Sequence, residues 1–318
     1  MDDRTLLPAR APSSRAVPLA PVSDAEVPAF VESLGLPGIV DLHVHFMPES
    51  VQRKVWAFFD SLPERGHPAW PVRYRLDEQA RVRVLRELGV TAYGTLNYAH
   101  RPGMAAWLNE YSREFAAGHP DAIPSATFYP EPEADAYTAD ALASGARLFK
   151  VHVQVGAFSP LDEHLEPVWR RIAEAGVPVV VHCGSGPQPG EFTGPERIVR
   201  LLGRHPDLVL VIAHAGLPEY LEFAELARAR PNVYLDTTMV GTDYMESLAP
   251  MPPDFPALMG ELAGKIVLGT DFPTIPYGYH HQLQALHGWG LGADWLREVL
   301  WHTPARLVGL TDGHGRGT

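Results

Sequence analysis

From Gly38 onward, the chain alternates between two patterns of apolar and polar residues. Short runs of apolar, often β-branched residues are typical of buried strands. These runs lie at residues 39–46, 91–97, 123–128, 148–155, 177–182, 208–214, 233–236 and 266–271. Between them, apolar residues spaced three and four apart predict amphipathic helices. The predicted helices lie at residues 77–88, 105–117, 134–144, 165–175, 195–205, 218–229, 253–263, 282–289 and 295–301.

This alternation of strand and helix predicts an α/β fold with a parallel sheet whose two faces are both covered. Eight strands over about 250 residues is the count of a (β/α)8 TIM barrel. A doubly wound open sheet is the alternative, but no Gly-x-Gly-x-x-Gly follows the first predicted strand. We therefore expect a barrel over residues 38–318. An irregular N-terminal leader, residues 1–37, precedes it and ends in a short helix near residues 25–34.

The first predicted strand and the first predicted helix are joined by an unusually long insertion, residues 47–75. Four of its aromatic residues are Trp56, Phe58, Phe59 and Trp70. Connections of this kind are normally only a few residues long. We expect the insertion to fold over one end of the barrel as a lid or a dimer contact, and its aromatic content favours a homodimer.

Composition and charge narrow the classes of function. The 318-residue chain has a net charge of -12, which argues against nucleic acid as a partner. Its single cysteine, Cys183, excludes a disulfide framework and fits a reducing compartment. The N-terminus does not match a signal peptide and no apolar run is long enough to span a membrane. We expect a cytoplasmic protein that acts on a small molecule.

Polar side chains lie where several predicted strands end. His43 and His45 project from the same face of the first strand, because alternate side chains of a strand point the same way. His182, His214 and Asp271 end the fifth, sixth and eighth strands. Active sites of barrels are built at the carboxyl ends of the strands. A single histidine here could equally cap a loop, but five such residues at matching strand ends indicate one shared site.

The motifs around these residues resemble those of a known family. Asp41-Leu-His-Val-His45, Val-His182, Ala-His214-Ala-Gly and Gly-Thr-Asp271-Phe-Pro are similar to the metal-dependent amidohydrolase superfamily, and in particular to its amidohydrolase-related branch. That branch includes enzymes of the aminocarboxymuconate semialdehyde decarboxylase type. The resemblance extends from about residue 38 to residue 310. It implies that His43, His45, His182 and Asp271 bind a catalytic metal and that His214 lies beside it.

The same residue types suit metal-assisted hydrolysis. Three imidazoles and a carboxylate leave a coordination position for water, whose pKa zinc lowers toward about 7. Asp271 could take the proton from that water and return it to the leaving group, while His214 stabilises developing charge or acts as an acid or base. We expect one divalent ion, with zinc as the default, and cleavage of an amide, ester, lactone or cyclic C–N bond.

Lys150 is the main open question. It is one of only three lysines in the chain and lies within the fourth predicted strand. The resemblance allows it to be a carboxylated ligand that bridges two metals. We favour two other interpretations, a cation paired with a carboxylate inside the barrel or a ligand for an anionic substrate. His152 and Gln154 are in phase with Lys150 along the strand. Either could line the pocket or form hydrogen bonds in the barrel core.

The loop that follows the second predicted strand contains two further candidates for substrate contact, His100 and Arg101. The alternative is that these two residues belong to a solvated loop. Together with Lys150 they suggest a carboxylated substrate. We expect a metal-dependent hydrolase. The alternatives are a non-oxidative decarboxylase that uses the same ligands and a binding barrel without catalysis. The retention of every expected ligand speaks against a binding barrel.

Overall fold

The computed structural model describes residues 17–186 and 188–310. Parallel strands form its centre, and each of the eight predicted strands is present. The third is divided at Pro124 into two short strands. The strands are β1 (Ile39–Asp41), β2 (Val90–Gly94), β3 (Ala122–Ile123), β4 (Ser125–Thr127), β5 (Leu148–His152), β6 (Val179–His182), β7 (Leu210–Ile212), β8 (Val233–Asp236) and β9 (Ile266–Val267).

Except at the break between β3 and β4, each strand pairs with its neighbour in sequence, which is the order of a TIM barrel. The sheets run β1-β2-β3 and β4-β5-β6-β7-β8-β9. A doubly wound sheet would reverse this order partway. Leu42 N–H donates to the Leu268 carbonyl at 3.0 Å and Val44 pairs with Phe272, so the first and last strands lie side by side. Within the described residues, no uninterrupted ladder closes the barrel, because the pairing breaks at Pro124.

Helices surround the strands and begin or end where local chemistry requires it. The side chain of Asp77 accepts the Ala80 N–H at the start of α3, and Gly176 ends α7 in the left-handed conformation. The helices are α1 (Val27–Ser33), α2 (Glu49–Asp60), α3 (Glu78–Glu87), α4 (Ala105–Gly118), α5 (Ala134–Ala143), α6 (Val153–Gly156), α7 (Glu166–Ala175), α8 (Pro195–Arg204), α9 (Tyr220–Ala229), α10 (Asp243–Glu246), α11 (Phe255–Glu261), α12 (His280–Gly288), α13 (Ala293–Arg297) and α14 (Thr303–Leu307). A π-helical turn, Glu298–His302, joins α13 to α14.

The predicted strand at residues 148–155 is wrong at its end. The strand stops at His152, and α6 follows directly, with the His152 side chain accepting the Val155 N–H. The prediction that Gln154 continues the strand in phase with Lys150 is therefore wrong. Gln154 lies in a helical turn, partly exposed, and its side chain donates to the Gln188 carbonyl instead of facing the barrel interior.

The leader and the insertion both pack against the barrel. Residues 1–16 of the leader lie outside the described residues. Its helix α1 buries Phe30 and Val31 in the core. In the insertion, Trp70 donates from its indole nitrogen to the Thr274 carbonyl at 2.7 Å, so this segment lies over the loops that follow β8 and β9. No helix in the described ranges has the length and apolarity needed to cross a membrane.

Candidate metal and substrate site

The carboxyl ends of the strands bring the predicted histidines together. Six aromatic side chains form a closed circle there, which we call the rim cluster. Neighbouring ring centroids are 3.8–5.8 Å apart around the circle. In order, the members are His43, His45, Tyr98, His152, His182 and His214. Strand pairing helps to set this arrangement, since His152 on β5 is in register with His182 on β6.

A candidate metal centre lies at one arc of the rim cluster. His43, His45 and Asp271 each offer a ligand atom, and these atoms lie within 4.8 Å of one another. Asp271 Oδ1 is 2.8 Å from His45 Nε2 and 3.6 Å from His43 Nε2. Both histidines are buried. The sequence predicts these three side chains as metal ligands. They converge in the structure, two from the segment after β1 and one from the segment after β9.

Hydrogen bonds determine which nitrogen each of these histidines can offer. His43 Nδ1 lies 2.8 Å from Asp236 Oδ2, and His45 Nδ1 lies 3.0 Å from the Leu96 carbonyl oxygen. Because both partners are acceptors, Nδ1 of each ring is suited to donate. His43 Nε2 then presents a lone pair, whereas His45 Nε2 lies 2.8 Å from another acceptor, Asp271 Oδ1. Two ring nitrogens and a carboxylate oxygen therefore face one point. This donor set fits a divalent first-row metal ion.

Burial keeps the imidazole of His43 in the form that a metal requires. Desolvation, reinforced by the nearby positive charge of Lys150, lowers the pKa of His43 to about 4. A neutral ring is the form that acts as a ligand. The pKa of Asp271 lies well below its usual value, since the hydrogen bond from His45 and the proximity of His43 outweigh the opposing effect of burial. The carboxylate is thus ionised at neutral pH.

His182 and His214 lie farther along the rim cluster. His182 Nε2 donates to the Gly186 carbonyl at 3.2 Å, which leaves Nδ1 as its available nitrogen. His214 Nδ1 donates to the Thr238 carbonyl at 3.2 Å, which leaves Nε2. Neither belongs to the group of three whose ligand atoms lie within 4.8 Å. The role of His182 as a metal ligand stays a prediction.

Lys150 reaches the candidate metal centre directly. Its Nζ lies 3.1 Å from His43 Nε2, the same nitrogen that faces Asp271. Burial lowers the pKa of Lys150 to about 8, although Asp236 and Asp271 oppose the shift. A lone pair that accepts from Lys150 is not free for a metal, so Lys150 must release His43 when a metal binds.

Asp236 is a residue of the site that the sequence does not single out. It ends β8, and its carboxylate accepts from His43 Nδ1 and, at 2.7 Å, from the His214 backbone N–H. Burial alone would raise the pKa of Asp236, but the proximity and hydrogen bond of His43 lower it to about 2. The signal that could have found it is its place at a strand end, as for Asp271. Such carboxylates orient ligand histidines.

Close packing behind the site depends on Gly269. A Cβ atom at this position would lie 2.2 Å from Thr238 Oγ1 and 2.8 Å from the Cβ of His43. Any side chain here would therefore displace His43 or Thr238, whose hydroxyl is 3.0 Å from His43 Nδ1. The Gly-Thr-Asp sequence before Phe272 thus serves the site through its glycine as well as its aspartate.

Asp41, the first residue of the His-x-His motif, is a second buried carboxylate behind the site. Its Oδ2 accepts from the hydroxyls of Thr270 at 2.6 Å and Tyr279 at 3.0 Å, and its Oδ1 accepts from the His43 N–H. Burial raises the pKa of Asp41 to about 7, although the hydrogen bond from Thr270 opposes this. Asp41 ties β1 to the segment that carries Asp271.

Several further residues do not belong to the rim cluster. His100 and Arg101 are exposed on the loop after β2. Cys183 is buried, and burial raises the pKa of its thiol. His280 begins α12 and contacts Asp24 of the leader at 2.8 Å. Of the four residues predicted to contact substrate, Lys150 contacts the candidate metal centre through His43, and His152 belongs to the rim cluster.

Comparisons with known proteins agree with this architecture. The chain is similar to an uncharacterized TIM-barrel protein, Bb4693, from Bordetella bronchiseptica, at 21% identity over 88% of this chain and 100% of that one, with a TM-score of 0.65. It is also similar to a 5-carboxyvanillate decarboxylase from Novosphingobium aromaticivorans, complexed with manganese and 4-hydroxy-3-methoxy-5-nitrobenzoic acid. The identity is 14% over 86% of this chain and 96% of that one, and the TM-score is 0.60.

A third solved structure is a probable 2-pyrone-4,6-dicarboxylic acid hydrolase from Acinetobacter baumannii with citric acid bound. It is 14% identical over 86% of this chain and 99% of that one, with a TM-score of 0.56. At these identities the three likenesses show the fold. No curated protein sequence matches the chain. The family model described as Amidohydrolase matches residues 40–310. The chain therefore belongs to the metal-dependent amidohydrolase family.

Proposed function

We propose that this protein is a metal-dependent hydrolase that cleaves an amide, ester, lactone or cyclic C–N bond of a small carboxylated substrate. The observation that carries the proposal is the convergence of His43 Nε2, His45 Nε2 and Asp271 Oδ1, with the tautomer of His43 fixed by its hydrogen bond to Asp236. His43, His45 and Asp271 would hold the metal, with His182 offering Nδ1 as a further ligand.

A divalent metal bound there would polarise a carbonyl group and activate water at neutral pH. The residues of the chain supply the proton transfers. Asp271, ionised and in contact with His45, can accept a proton and later return it to a leaving group. His214 has Nε2 available as a proton acceptor, because its Nδ1–H is engaged by Thr238. In this tautomer His214 is better suited as a base than as a hydrogen-bond donor to an oxyanion.

We propose zinc as the metal, with one ion per chain. Imidazole and carboxylate ligands accept several first-row ions, and the similar decarboxylase carries manganese. A second ion would require a further anionic ligand, for which a carboxylated Lys150 is the candidate. Lys150 donates to His43 as an amine or ammonium group, which is not the carboxylated form that a second ion requires. We therefore propose a site for a single ion. A cytoplasmic location and a homodimer built on the insertion belong to the same proposal.

The second candidate is a metal-dependent decarboxylase. The buried ammonium of Lys150 beside the candidate centre favours it, since a cation there could hold a carboxylate that is then lost as CO₂. The similarity to 5-carboxyvanillate decarboxylase points the same way. Both activities would use the same ligands, so the residue set alone does not separate them.

One screen separates the two candidates. The purified protein is incubated with lactones, amides and aromatic carboxylates, and the products are scored for CO₂ release and for acid or amine formation. We expect acid or amine formation that is lost in Asp271→Asn. Release of CO₂ without hydrolysis would favour the decarboxylase. Activity that is unchanged in Asp271→Asn, or after metal removal by a chelator, would contradict both.

A further inference from the structure

His152 differs from the other histidines of the rim cluster in the nitrogen it leaves available. Three of these imidazoles donate from one nitrogen to an oxygen acceptor and so present a lone pair on the other. These three are His43, His182 and His214, while both nitrogens of His45 face acceptors. In His152 the relation is reversed, since Nδ1 accepts a hydrogen bond at 3.3 Å from the Val155 backbone N–H.

The partner of His152 determines its tautomer. A backbone N–H can only donate, so Nδ1 of His152 must carry the lone pair. A neutral imidazole with a lone pair on Nδ1 has its proton on Nε2. This hydrogen bond also caps the first turn of α6, and loss of the tautomer would leave that N–H unsatisfied. His152 therefore presents an N–H donor at the rim, whereas His43, His182 and His214 present lone pairs.

Tyr98 lies beside this donor. The Tyr98 ring is 5.2 Å from the His152 ring and 5.8 Å from the His45 ring, so it bridges His152 and the candidate metal centre. On its other side, His152 stacks on His182 at 3.8 Å with an interplanar angle of 13°. Across residues 17–186 and 188–310, no protein atom accepts a hydrogen bond from His152 Nε2 or the Tyr98 hydroxyl.

The two arcs of the rim cluster therefore have opposite polarity. At His43 and His45 the site holds the carboxylates of Asp236 and Asp271. At Tyr98 and His152 it holds hydrogen-bond donors, the Tyr98 hydroxyl and His152 Nε2–H. Donors of this kind complement an anion, whereas the carboxylates of the first arc repel one.

We propose that His152 Nε2–H and the Tyr98 hydroxyl form a subsite for a carboxylate group of the substrate. The subsite would place the substrate's reacting bond toward His43, His45 and Asp271. This inference rests on the proposed function, of which it specifies the substrate class. That class is small organic acids in which one carboxylate is retained for recognition while another bond reacts.

Two variants of His152 separate its donor from its capping role. His152→Asn keeps a side-chain oxygen that can accept the Val155 N–H, since asparagine is a favoured N-cap, but it places no donor at the position of Nε2. His152→Gln carries a terminal N–H donor with a longer reach. Tyr98→Phe removes only the hydroxyl. Exposed His302→Asn, in the π-helical turn, is the matched control.

Binding is measured by calorimetry with purified, metal-containing protein. The probes are benzoate, isophthalate, glutarate and 4-hydroxy-3-methoxy-5-nitrobenzoate, each compared with its primary amide. We expect at least one acid to bind more tightly than its amide. We expect His152→Asn to raise the Kd of that acid about tenfold or more, as for a lost hydrogen bond to a charged group. His152→Gln should restore much of the affinity, Tyr98→Phe should weaken binding, and His302→Asn should match wild type.

Metal content and melting temperature are measured on the same samples. Unchanged acid binding in His152→Asn, or no preference for any acid over its amide in wild type, would overturn the inference. Loss of metal in His152→Asn would also overturn it, because His152 would then act by positioning His182. A metal-free wild type would remove the proposed function, yet acid binding that still depends on His152 would leave the carboxylate subsite supported.

Discussion

The two ends of the barrel differ in which residues adopt a positive φ. At the amino ends of the strands, the turns that need it contain glycine, as at Gly89 (φ 77°) and Gly176 (φ 64°). At the carboxyl ends, glycines such as Gly216 and Gly241 adopt it, but so do five residues with side chains. These residues are Ala157, His214, Ala215, Met239 and Asp271, with φ between 49° and 70°. The left-handed region costs an L-residue about 1–2 kcal/mol.

The difference indicates that side chains are retained at the carboxyl ends although a positive φ is unfavourable for them. His214 and Asp271 both carry proposed chemistry, and glycine would remove it. Hydrogen bonds hold them in place, because Asp271 N–H donates to the His43 carbonyl at 2.8 Å and His214 N–H donates to Asp236. Backbone strain that persists under such restraints is typical of functional sites. At the opposite end nothing requires a side chain, and glycine gives the least strained turn.

The largest effect should come from Asp271→Asn at the rim. An amide keeps the size of the side chain but cannot act as a base, so turnover of a hydrolysed substrate should fall about a hundredfold or more. Steady-state kinetics and metal analysis on the same sample test this. Metal binding should weaken less than turnover. A variant that retains wild-type turnover would remove the acid/base role of Asp271.

Asp236→Asn should reduce metal affinity by about tenfold to a hundredfold, because His43 loses the carboxylate that fixes its tautomer. Titration with a competing chelator measures this. The control is Asp207→Asn, an exposed aspartate in the loop before β7 at the opposite end of the barrel, which should leave affinity unchanged. Equal affinities in the two variants would mean that the carboxylate does not support the site.

Asp24→Ala tests how the leader is held to the insertion and to the start of α12. Asp24 accepts from Tyr74 and from the His280 backbone N–H, so its loss should lower the free energy of unfolding by about 1.5 kcal/mol. Burial would raise the pKa of Asp24, but these hydrogen bonds outweigh it and lower the pKa. The advantage of wild type should therefore be full above the usual pKa of 3.8 and be lost as pH falls through the lowered value.

Denaturant unfolding of wild type and Asp24→Ala at several pH values tests that sign. An advantage that grows on acidification would contradict it. Metal content should not change, because Asp24 contacts the start of α12 and not the rim cluster.

The smallest effects test the backbone comparison itself. Gly176→Ala should cost about 1 kcal/mol through its positive φ alone, since a Cβ there would have no atom within 4 Å. Ala157→Gly, at the rim and exposed, should instead stabilise the protein by about 0.5 kcal/mol. Thermal unfolding measures both. If both substitutions stabilised the protein, or both destabilised it, the positive φ would not explain the difference in stability.

Much of this fold could be predicted from the sequence, because buried parallel strands read as apolar runs. The strand–helix alternation identified each barrel strand and its order. The prediction of secondary structure fails where the backbone changes conformation within an apolar run. At residues 153–156 apolar Val153 and Val155 continue the strand pattern, but a cap from His152 starts a helix there. A local hydrogen bond decided the conformation that residue spacing could not.

The site could be predicted only in part. Strand-end position identified His43, His45 and Asp271, whose convergence the structure reproduces. It did not identify Tyr98, which lies in a loop without a motif. It also did not distinguish His152 from the other histidines, since its tautomer depends on a backbone N–H three residues later. Proton positions follow from tertiary contacts, and spacing along a strand does not contain them.

The most direct test of the central claim is the divalent metal content of the purified protein, measured by elemental analysis without added metal. The account predicts about one ion per chain in wild type, as expected for one set of imidazole and carboxylate ligands. It predicts loss of that ion in His45→Ala and its retention in His100→Ala, whose histidine is exposed and outside the rim cluster. A metal-free wild type, or a His45→Ala variant with undiminished metal, would contradict it.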